Sequence, residues 1–357
     1  MCYTARVNDS RNRTAGIWNG ENGPILVTGA TGFTGGTLVR KLCERGVAVR
    51  AIARASSNRE SLQDLPIEWH VGDVFDPSVV ERAVSGVRGI FHVAAAYRQA
   101  GLADDVYRQV HGESTRLLAA AAMKQPAFQR FVHVSTVGVH GHIEHPPADE
   151  NYPFGPGDVY QRTKAEAELW IRDFAVRQGL PLTVIRPAAI YGPGDRRLLK
   201  IFKMAAMPIC LLPGRAGGPL YHLIHVDDLT EAMLVAARHP AALGEVFICG
   251  DPAALELPDI LRIIGAEYGR KIRILRLPVW PFFLAAGICE TLCRPLGVEP
   301  PLYRRRVAFF TKDRSFNTAR LRERLGFACR RTTGEGLRET ARWYVEHGWV
   351  RSSGTHV

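Results

Sequence analysis

Tyr160 and Lys164 stand four residues apart at the head of a strongly helix-favouring run, Ala165 to Gln178 (AEAELWIRDFAVRQ), so both side chains fall on one helix face, one turn apart. Such a pair can move a proton. A free phenol, with a pKa of about 10, is a poor acid or base near neutrality, but an ammonium beside it favours the phenolate. Thr136 follows the β-rich run Arg130 to Val134 (RFVHV) and Ser135, and a hydroxyl there can hold a reacting oxygen in line. Tyr and Lys at this spacing also decorate ordinary helix surfaces, so their meaning depends on what lies upstream.

Upstream lies Ile25 to Cys43 (ILVTGATGFTGGTLVRKLC). An apolar run leads into Gly29, Gly32 and Gly35, and Leu38, Val39 and Leu42 then recur at helical spacing. This reads as strand, glycine turn and helix. Gly29 suits a tight turn, Gly32 has no side chain to keep a pyrophosphate away, and Gly35 lets the helix lie close on the strand. Amides around Thr31, Phe33 and Thr34 then face the phosphates with the helix dipole behind them. Dinucleotide binding is the expectation, and with a nicotinamide nearby the Tyr160–Lys164 pair can move a proton at a substrate oxygen while hydride moves at the adjacent carbon. Lys164 can also bond the nicotinamide ribose.

The elements between these motifs alternate in type. Ala48 to Ala53 is a second strand, Ile67 to Gly72 a third, Gly89 to Ala96 a fourth and Leu182 to Arg186 a sixth after the RFVHV strand, with helices expected at Val79 to Val84 and Asp105 to Met123. This argues for an α/β fold of the Rossmann type, a doubly wound parallel sheet with helices on both faces. Ligands should lie at the carboxyl ends of its strands. Asp73 and Val74 then fall where an adenine edge is met. Ala94 and Ala95 either line the cofactor's path or simply pack tightly. Arg54 and Ser56 follow the second strand with no Asp or Glu between Val47 and Arg59. That favours the 2′-phosphate of NADP over NAD, although Arg54 also reads as a solvated loop charge.

After Arg186 the pattern changes. The expected organisation is an extension at 1–23, a dinucleotide domain at 24–186 and a smaller substrate domain at 187–357, with Ile224 to Arg238 returning to the first. Gly244 to Cys249 reads as a short strand. His140, His142 and His145 lie in a loop rich in Pro and Gly, and Cys289 and Cys293 one helical turn apart. Neither set has the partners a metal site needs, so none is expected.

The chain has 357 residues, 46% of them hydrophobic, and a formal charge of +11. Arg270 to Arg331 holds 15 Lys and Arg against 4 Asp and Glu, a surplus equal to that of the whole chain. No nucleic-acid-binding pattern accompanies it, which leaves a solvated face, an acidic substrate or an anionic membrane surface. Residues 1–23 lack the apolar core of a secretory signal, and 7 cysteines without a C-x-x-C pair read as reduced thiols in a cytoplasmic protein. The apolar stretch Leu277 to Cys289 contains Pro278 and Pro281 and is too short to span a bilayer, which takes about 20 residues; with its continuation to Leu296 it would serve as an apolar mouth or a membrane contact.

Residues about 24 to 350 resemble an extended short-chain dehydrogenase/reductase of the NAD-dependent epimerase/dehydratase type. The resemblance rests on TGATGFTG at Thr28 to Gly35, VSTVGVHG at Val134 to Gly141, YQRTK at Tyr160 to Lys164, RPAAIYGPGD at Arg186 to Asp195 and HVDDL at His225 to Leu229. The passage PPLYRRRVAFFTKDRSFNTARLRERLGF, followed by GLRETARWYVEHG, is similar to the 3β-hydroxysteroid dehydrogenase and dihydroflavonol reductase-like branch. The resemblance implies Thr136, Tyr160 and Lys164 as the catalytic trio, cofactor contacts from Pro187 and Ile190, and a homodimer formed through the helices near Asp105 to Met123 and Lys164 to Gln178. Three departures matter. Val137 and Gly138 replace the Asp-Glu pair of dehydratases; Tyr221 and His222 replace the Arg-Asp of many nucleotide-sugar epimerases, for which Arg196, Arg197 or Arg215 would have to substitute; and His111 takes the place of a usual Asn. A secondary alcohol/ketone oxidoreductase for an apolar small molecule is therefore expected, with an NAD-retaining nucleotide-sugar epimerase as the alternative and a non-catalytic dinucleotide-binding regulator as a third reading.

Overall fold

The computed structural model describes residues 23–97, 102–214, 218–293 and 313–351. The extension before Gly23, Arg215 and most of the segment preceding Asp313 lie outside them. Seven parallel strands form the central sheet. In chain order they are β1 (Ile25–Thr28), β2 (Val49–Ala53), β3 (Ile67–Val71), β4 (Gly89–His92), β5 (Arg130–Val134), β6 (Leu182–Pro187) and, much later, Val246–Cys249. The order across the sheet is Val246–Cys249, β6, β5, β4, β1, β2, β3. Residues of β1, β4, β5, β6 and Val246–Cys249 are buried throughout, as parallel strands covered on both faces must be.

The helices that cover the sheet come from the connections. Leu38, Val39 and Leu42 of α1 (Phe33–Glu44) share one core with Leu229, Ala232 and Met233 of the helix Val226–Arg238. On the other face Val79, Val80 and Ala83 of α2 (Pro77–Val84) pack with Leu118, Ala119 and Ile171. The helix expected at Asp105 to Met123 is three pieces, α3 (Asp104–Tyr107), a π-helical turn (Arg108–Glu113) and α4 (Ser114–Met123). The reading from sequence missed the wide turn because its stabilising bonds are tertiary. The fourth strand likewise stops at His92, because the amides of Ala94 and Ala96 go to side chains, Thr28 Oγ1 and His111 Nε2, instead of to a neighbouring strand.

The remaining elements add to these two cores, build a third or, like the helix Val279–Cys293, stay mostly unburied. In chain order these are α5 (Val159–Gln178), β7 (Ala189–Tyr191), α6 (Leu199–Ala205), β8 (Ile209–Pro213), β9 (Leu220–Tyr221), β10 (Leu223–His225), α7 (Val226–Arg238), β11 (Val246–Cys249), β12 (Leu255–Glu256), α8 (Leu257–Glu267), β13 (Arg273–Leu277), α9 (Val279–Cys293) and two helices at Ala319–Leu325 and Thr333–Glu346. Phe202, Leu261, Ile264 and Tyr344 centre the third core. The chain's return to the main sheet runs past Arg238, since β11 pairs with β6 from Val246↔Val184 to Cys249↔Pro187.

One buried ion pair ties α5 to β6. Arg186 and Glu168 are both fully buried, with Arg186 Nη2 donating to Glu168 Oε1 at 2.5 Å and Nε to the same carboxylate at 3.1 Å. Nη1 donates to Glu150 O at 2.8 Å and to His140 Nε2 at 3.2 Å. Removing one partner strands a buried charge, whereas removing both does not. Arg186→Met should therefore lower the unfolding free energy by about 3–5 kcal/mol, and adding Glu168→Leu should recover most of it. Equal losses in the single and double variants, read by denaturant unfolding, would sink this account.

Candidate active site

The glycine turn shows why each glycine stands where it does. Gly29 has φ +72°, and a Cβ there would meet Ala94 N at 2.8 Å. At Gly35 a Cβ would fall 2.0 Å from Gly29 O. The tight approach is thus within the turn itself, more than between helix and strand as expected. A Cβ at Gly32 would meet only Gly29 O, at 3.2 Å. No side chain caps α1, and its first turn holds no acidic residue. Its leading amides are therefore left for an anionic ligand.

These residues open one side of a cleft of about 800 Å³ at the carboxyl ends of the strands. Gly29, Thr31, Gly32, Phe33, Thr34 and Gly35 line it together with Arg54, Asp73, Val74, Ala94, Ala95, Pro187 and Ile190. Thr136, Tyr160 and Lys164 line the same cleft. Ser56 does not; the lining residue is Ser57, whose N–H donates to Arg54 O at 3.0 Å and so turns the chain by one more residue. Reading from sequence missed Ser135, Gln109 and Val110, which reach the cleft from two separate segments, while Arg197, named there as a substitute for a diphosphate contact, also lines it. Only a motif-adjacent residue such as Ser135 left a local signal. Ser135 is buried, and its Oγ has no partner among the described residues. With the uncapped helix, the Cβ-free floor and this unused hydroxyl, the residues present fit a dinucleotide.

Lys164 is the most constrained of the trio. It is 2% exposed, and its Nζ donates to Val134 O at 3.0 Å, which fixes the start of α5 on the end of β5. Burial pulls its pKa down from the ordinary lysine value to about 8, partly offset by Glu168 one turn further on. Tyr160 sits one turn earlier, on the first turn of α5, where Asp158 caps the helix by accepting from Gln161 N at 2.8 Å. Thr136 Oγ1 accepts from Gly138 N at 3.1 Å. Its hydroxyl proton therefore remains to be donated outward.

Three histidines surround this point without adding charge. Burial, then the nearby Lys164 ammonium, holds His92 down to about 3 and His111 to about 2. His133 also lies well below its ordinary value, through burial first. His111 is the informative one. It lies in the π-helical turn, its Nε2 accepts from Ala96 N at 3.1 Å, and its other nitrogen therefore carries the proton given to Thr163 Oγ1 at 2.8 Å. Thr163 Oγ1 in turn donates to Val159 O at 2.9 Å, with Tyr160 O at 3.2 Å. The His111 ring meets Tyr160 edge-on, centroids 5.3 Å apart. A neutral imidazole thus clips the loop after β4 to the turn that bears Tyr160, and the π turn aims Gln109 and Val110 at the cleft from the other side.

Of the other histidines considered from sequence, His142 and His145 are exposed, and His140 and His222 have structural partners. His140 donates from Nδ1 to Pro153 O at 3.2 Å and accepts from Arg186 at Nε2. His222 is buried between Asp251 O at 2.6 Å and Phe316 N at 3.2 Å. His225, Asp227 and Glu339 approach one another closely enough for a metal. Arg331 already bridges that group, at 3.1 Å from Asp227 and 2.7 Å from Glu339.

Comparison with known proteins agrees with this geometry. Residues 25–250 match the model of the NAD dependent epimerase/dehydratase family. The chain is 31% identical over 350 residues to a 3-beta-hydroxysteroid dehydrogenase of Mycolicibacterium neoaurum, covering 91% of this chain and 92% of the relative. It is 30% identical over 319 residues, 87% and 94% of the two chains, to the 4-hydroxy-2-methyl-3-oxo-4-farnesyl-3,4-dihydroquinoline-1-oxide ketoreductase of Stigmatella aurantiaca. Among solved structures, that of gox2253 superposes with a TM-score of 0.77 at 28% identity, covering 92% of this chain and all of the other. The chain belongs to the NAD-dependent epimerase/dehydratase family, the extended short-chain dehydrogenases/reductases, and is an enzyme of the kind that family contains.

Proposed function

We propose that this enzyme interconverts a secondary alcohol and a ketone on an apolar, sterol-like or lipid-like small molecule, with NADP(H) as the preferred cofactor. The observation that carries the reading is the placement of Tyr160, Lys164 and Thr136 on one cleft with the uncapped start of α1. A bound nicotinamide supplies or accepts the hydride. Tyr160 gives its phenolic proton to the carbonyl oxygen as the carbon is reduced and takes it back in the reverse direction. Lys164, charged at neutral pH, favours the phenolate left behind. Thr136 donates to the same oxygen and keeps it in line with Tyr160.

Apolar side chains of Leu102, Val106, Val110 and Ile190 on the cleft support an apolar substrate, as do the substrates after which the two relatives are named. No acidic pair follows Thr136 to remove water, and His222 is committed to main-chain partners. Arg54 and Ser57 on the cleft, with no carboxylate at the end of β2, support a 2′-phosphate. One observation favours the nucleotide-sugar epimerase as a second reading. The Arg197 guanidinium lies over the Phe33 ring at 5.4 Å and lines the cleft, where a diphosphate would meet it, although Asp195 already holds it at 2.8 Å.

Tyr160→Phe should lower turnover by about a hundredfold to ten-thousandfold and leave the fluorescence titration with NADPH unchanged; a variant that still turns over would end the assignment. Arg54→Asp should weaken NADPH about tenfold or more while sparing NADH. Equal effects on both, or NAD released in stoichiometric amount when the purified native protein is denatured, would favour the epimerase. Lys164 also links function to pH. Its folded pKa of about 8 lies below the ordinary 10.5, so the unfolded chain binds the extra proton between these values and this group's contribution to stability rises with pH there. Lys164→Met should thus be inactive yet more stable than the native enzyme below pH 8, the difference shrinking toward pH 10.5 in thermal unfolding. A variant destabilised at every pH would contradict it.

A further inference from the structure

The helix α9 (Val279–Cys293, VWPFFLAAGICETLC) carries one acidic residue, Glu290, and no Lys or Arg. A helix apolar on every side belongs in a core or in lipid. In α9 only Ala286 is buried. Trp280, Leu284, Ile288 and Leu292 recur at every fourth position and are 68%, 58%, 53% and 64% exposed. The ribbon that leads into the helix is turned the same way. Its strands pair in parallel with Ile209↔Arg273, Leu211↔Leu275 and Pro213↔Leu277 in register. Cys210 and Leu212 are buried while Ile209, Leu211, Leu275 and Leu277 are exposed. By the alternation of a strand, these four stand with Arg273 on the outward face. Scattered exposed apolar residues are ordinary; a ribbon face and a helix stripe that follow one another along the chain are not.

We propose that α9 and the outward face of the β8–β13 ribbon dock on an anionic lipid bilayer. The helix lies in the interface plane with its stripe at the acyl boundary. Charge complementarity selects this occupant. Lys271 and Arg273 are exposed beside the ribbon, Lys203 on the helix leading into it is exposed too, and the stretch Arg270 to Arg331 holds the chain's whole cationic surplus. A second copy of the chain on a two-fold axis would set the same cations against each other. An anionic surface attracts them. The 15 described residues of α9 reach about 22 Å against a hydrocarbon core of about 30 Å, and no helix among the described residues is long and apolar enough to cross. The inference does not depend on the substrate or the cofactor.

The test is sedimentation of the full chain with phosphatidylcholine vesicles, with and without phosphatidylglycerol, at low and high salt. The expected result is binding only when phosphatidylglycerol is present, weakened by salt. Leu284→Glu with Ile288→Glu should reduce it about tenfold or more, as should Lys271→Ala with Arg273→Ala at low salt, all variants retaining NADPH binding. The second pair lies on exposed polar positions and carries the test should the glutamate pair misfold. Absence of sedimentation overturns the proposal. So does equal binding to vesicles lacking phosphatidylglycerol. Concentration-dependent self-association that the glutamate pair abolishes without lipid also overturns it, and assigns the patch to a second copy.

Discussion

A lysine ammonium held out of water at the end of the central strand β5 is the constraint on which the site depends. Burying that charge is costly, which is why its pKa falls. The surroundings are arranged so that the cost stays bearable while the charge stays effective. Val134 O accepts from Nζ, and the three neighbouring histidines are held neutral by their own burial. Glu168, one turn along α5, is spent on Arg186 and does not form a closed pair with the lysine. Had Glu168 been free, it would neutralise the ammonium that the proposed proton transfer at Tyr160 needs. The buried Arg186–Glu168 pair is thus as much a part of the site's electrostatics as of the fold's packing.

The same constraint explains the irregular backbone around the site. Lys164 fixes α5 to β5, so Tyr160 is placed by a helix start whose position is set by the lysine's reach. His111 then ties this turn to the loop after β4 through Ala96 and Thr163. To present His111 there and Gln109 and Val110 at the cleft, the helix between β4 and β5 widens into a π turn, a distortion often found at functional positions. Protonation of His111 would take away the lone pair that accepts from Ala96. Its depressed pKa therefore belongs to the same design.

What sequence made legible were the features encoded locally. The glycine turn, the Tyr160–Lys164 spacing and the alternation of strands and helices are each written within about thirty residues, and the sheet and the cleft lining follow from them. What it hid depends on distant contacts. Ser57 replaces Ser56 because a backbone turn at Arg54 advances the chain by one residue. Arg197 reaches the cleft from beyond β7, and the His111 ring is placed by three partners from two segments, Ala96 and then Thr163 and Tyr160 of α5. Likewise the apolar stretch after Leu277 was visible as composition, but nothing local said that its side chains would remain outside the core.

The division of labour within the chain follows from this contrast. The half that carries the redox step is built of parts that tolerate almost no change: a Cβ at Gly35 would collide with Gly29 O, and Lys164, Arg186 and Glu168 are buried and mutually dependent. Family members that share those parts therefore share hydride and proton transfer at one carbon. Differences in chemistry must come from residues that do not support the sheet, such as Arg197 on the cleft, Val137 and Gly138 next to Thr136, and the position held by His222. In this chain His222 is locked between two backbone groups of the C-terminal part and Arg197 leans on Asp195. Burial holds His222 below its ordinary value and Asp195 competes with a diphosphate for Arg197, and what else faces the cleft from the π turn and β7 is mostly apolar. The bias we propose toward an apolar alcohol or ketone would thus result from where the polar side chains are already spent.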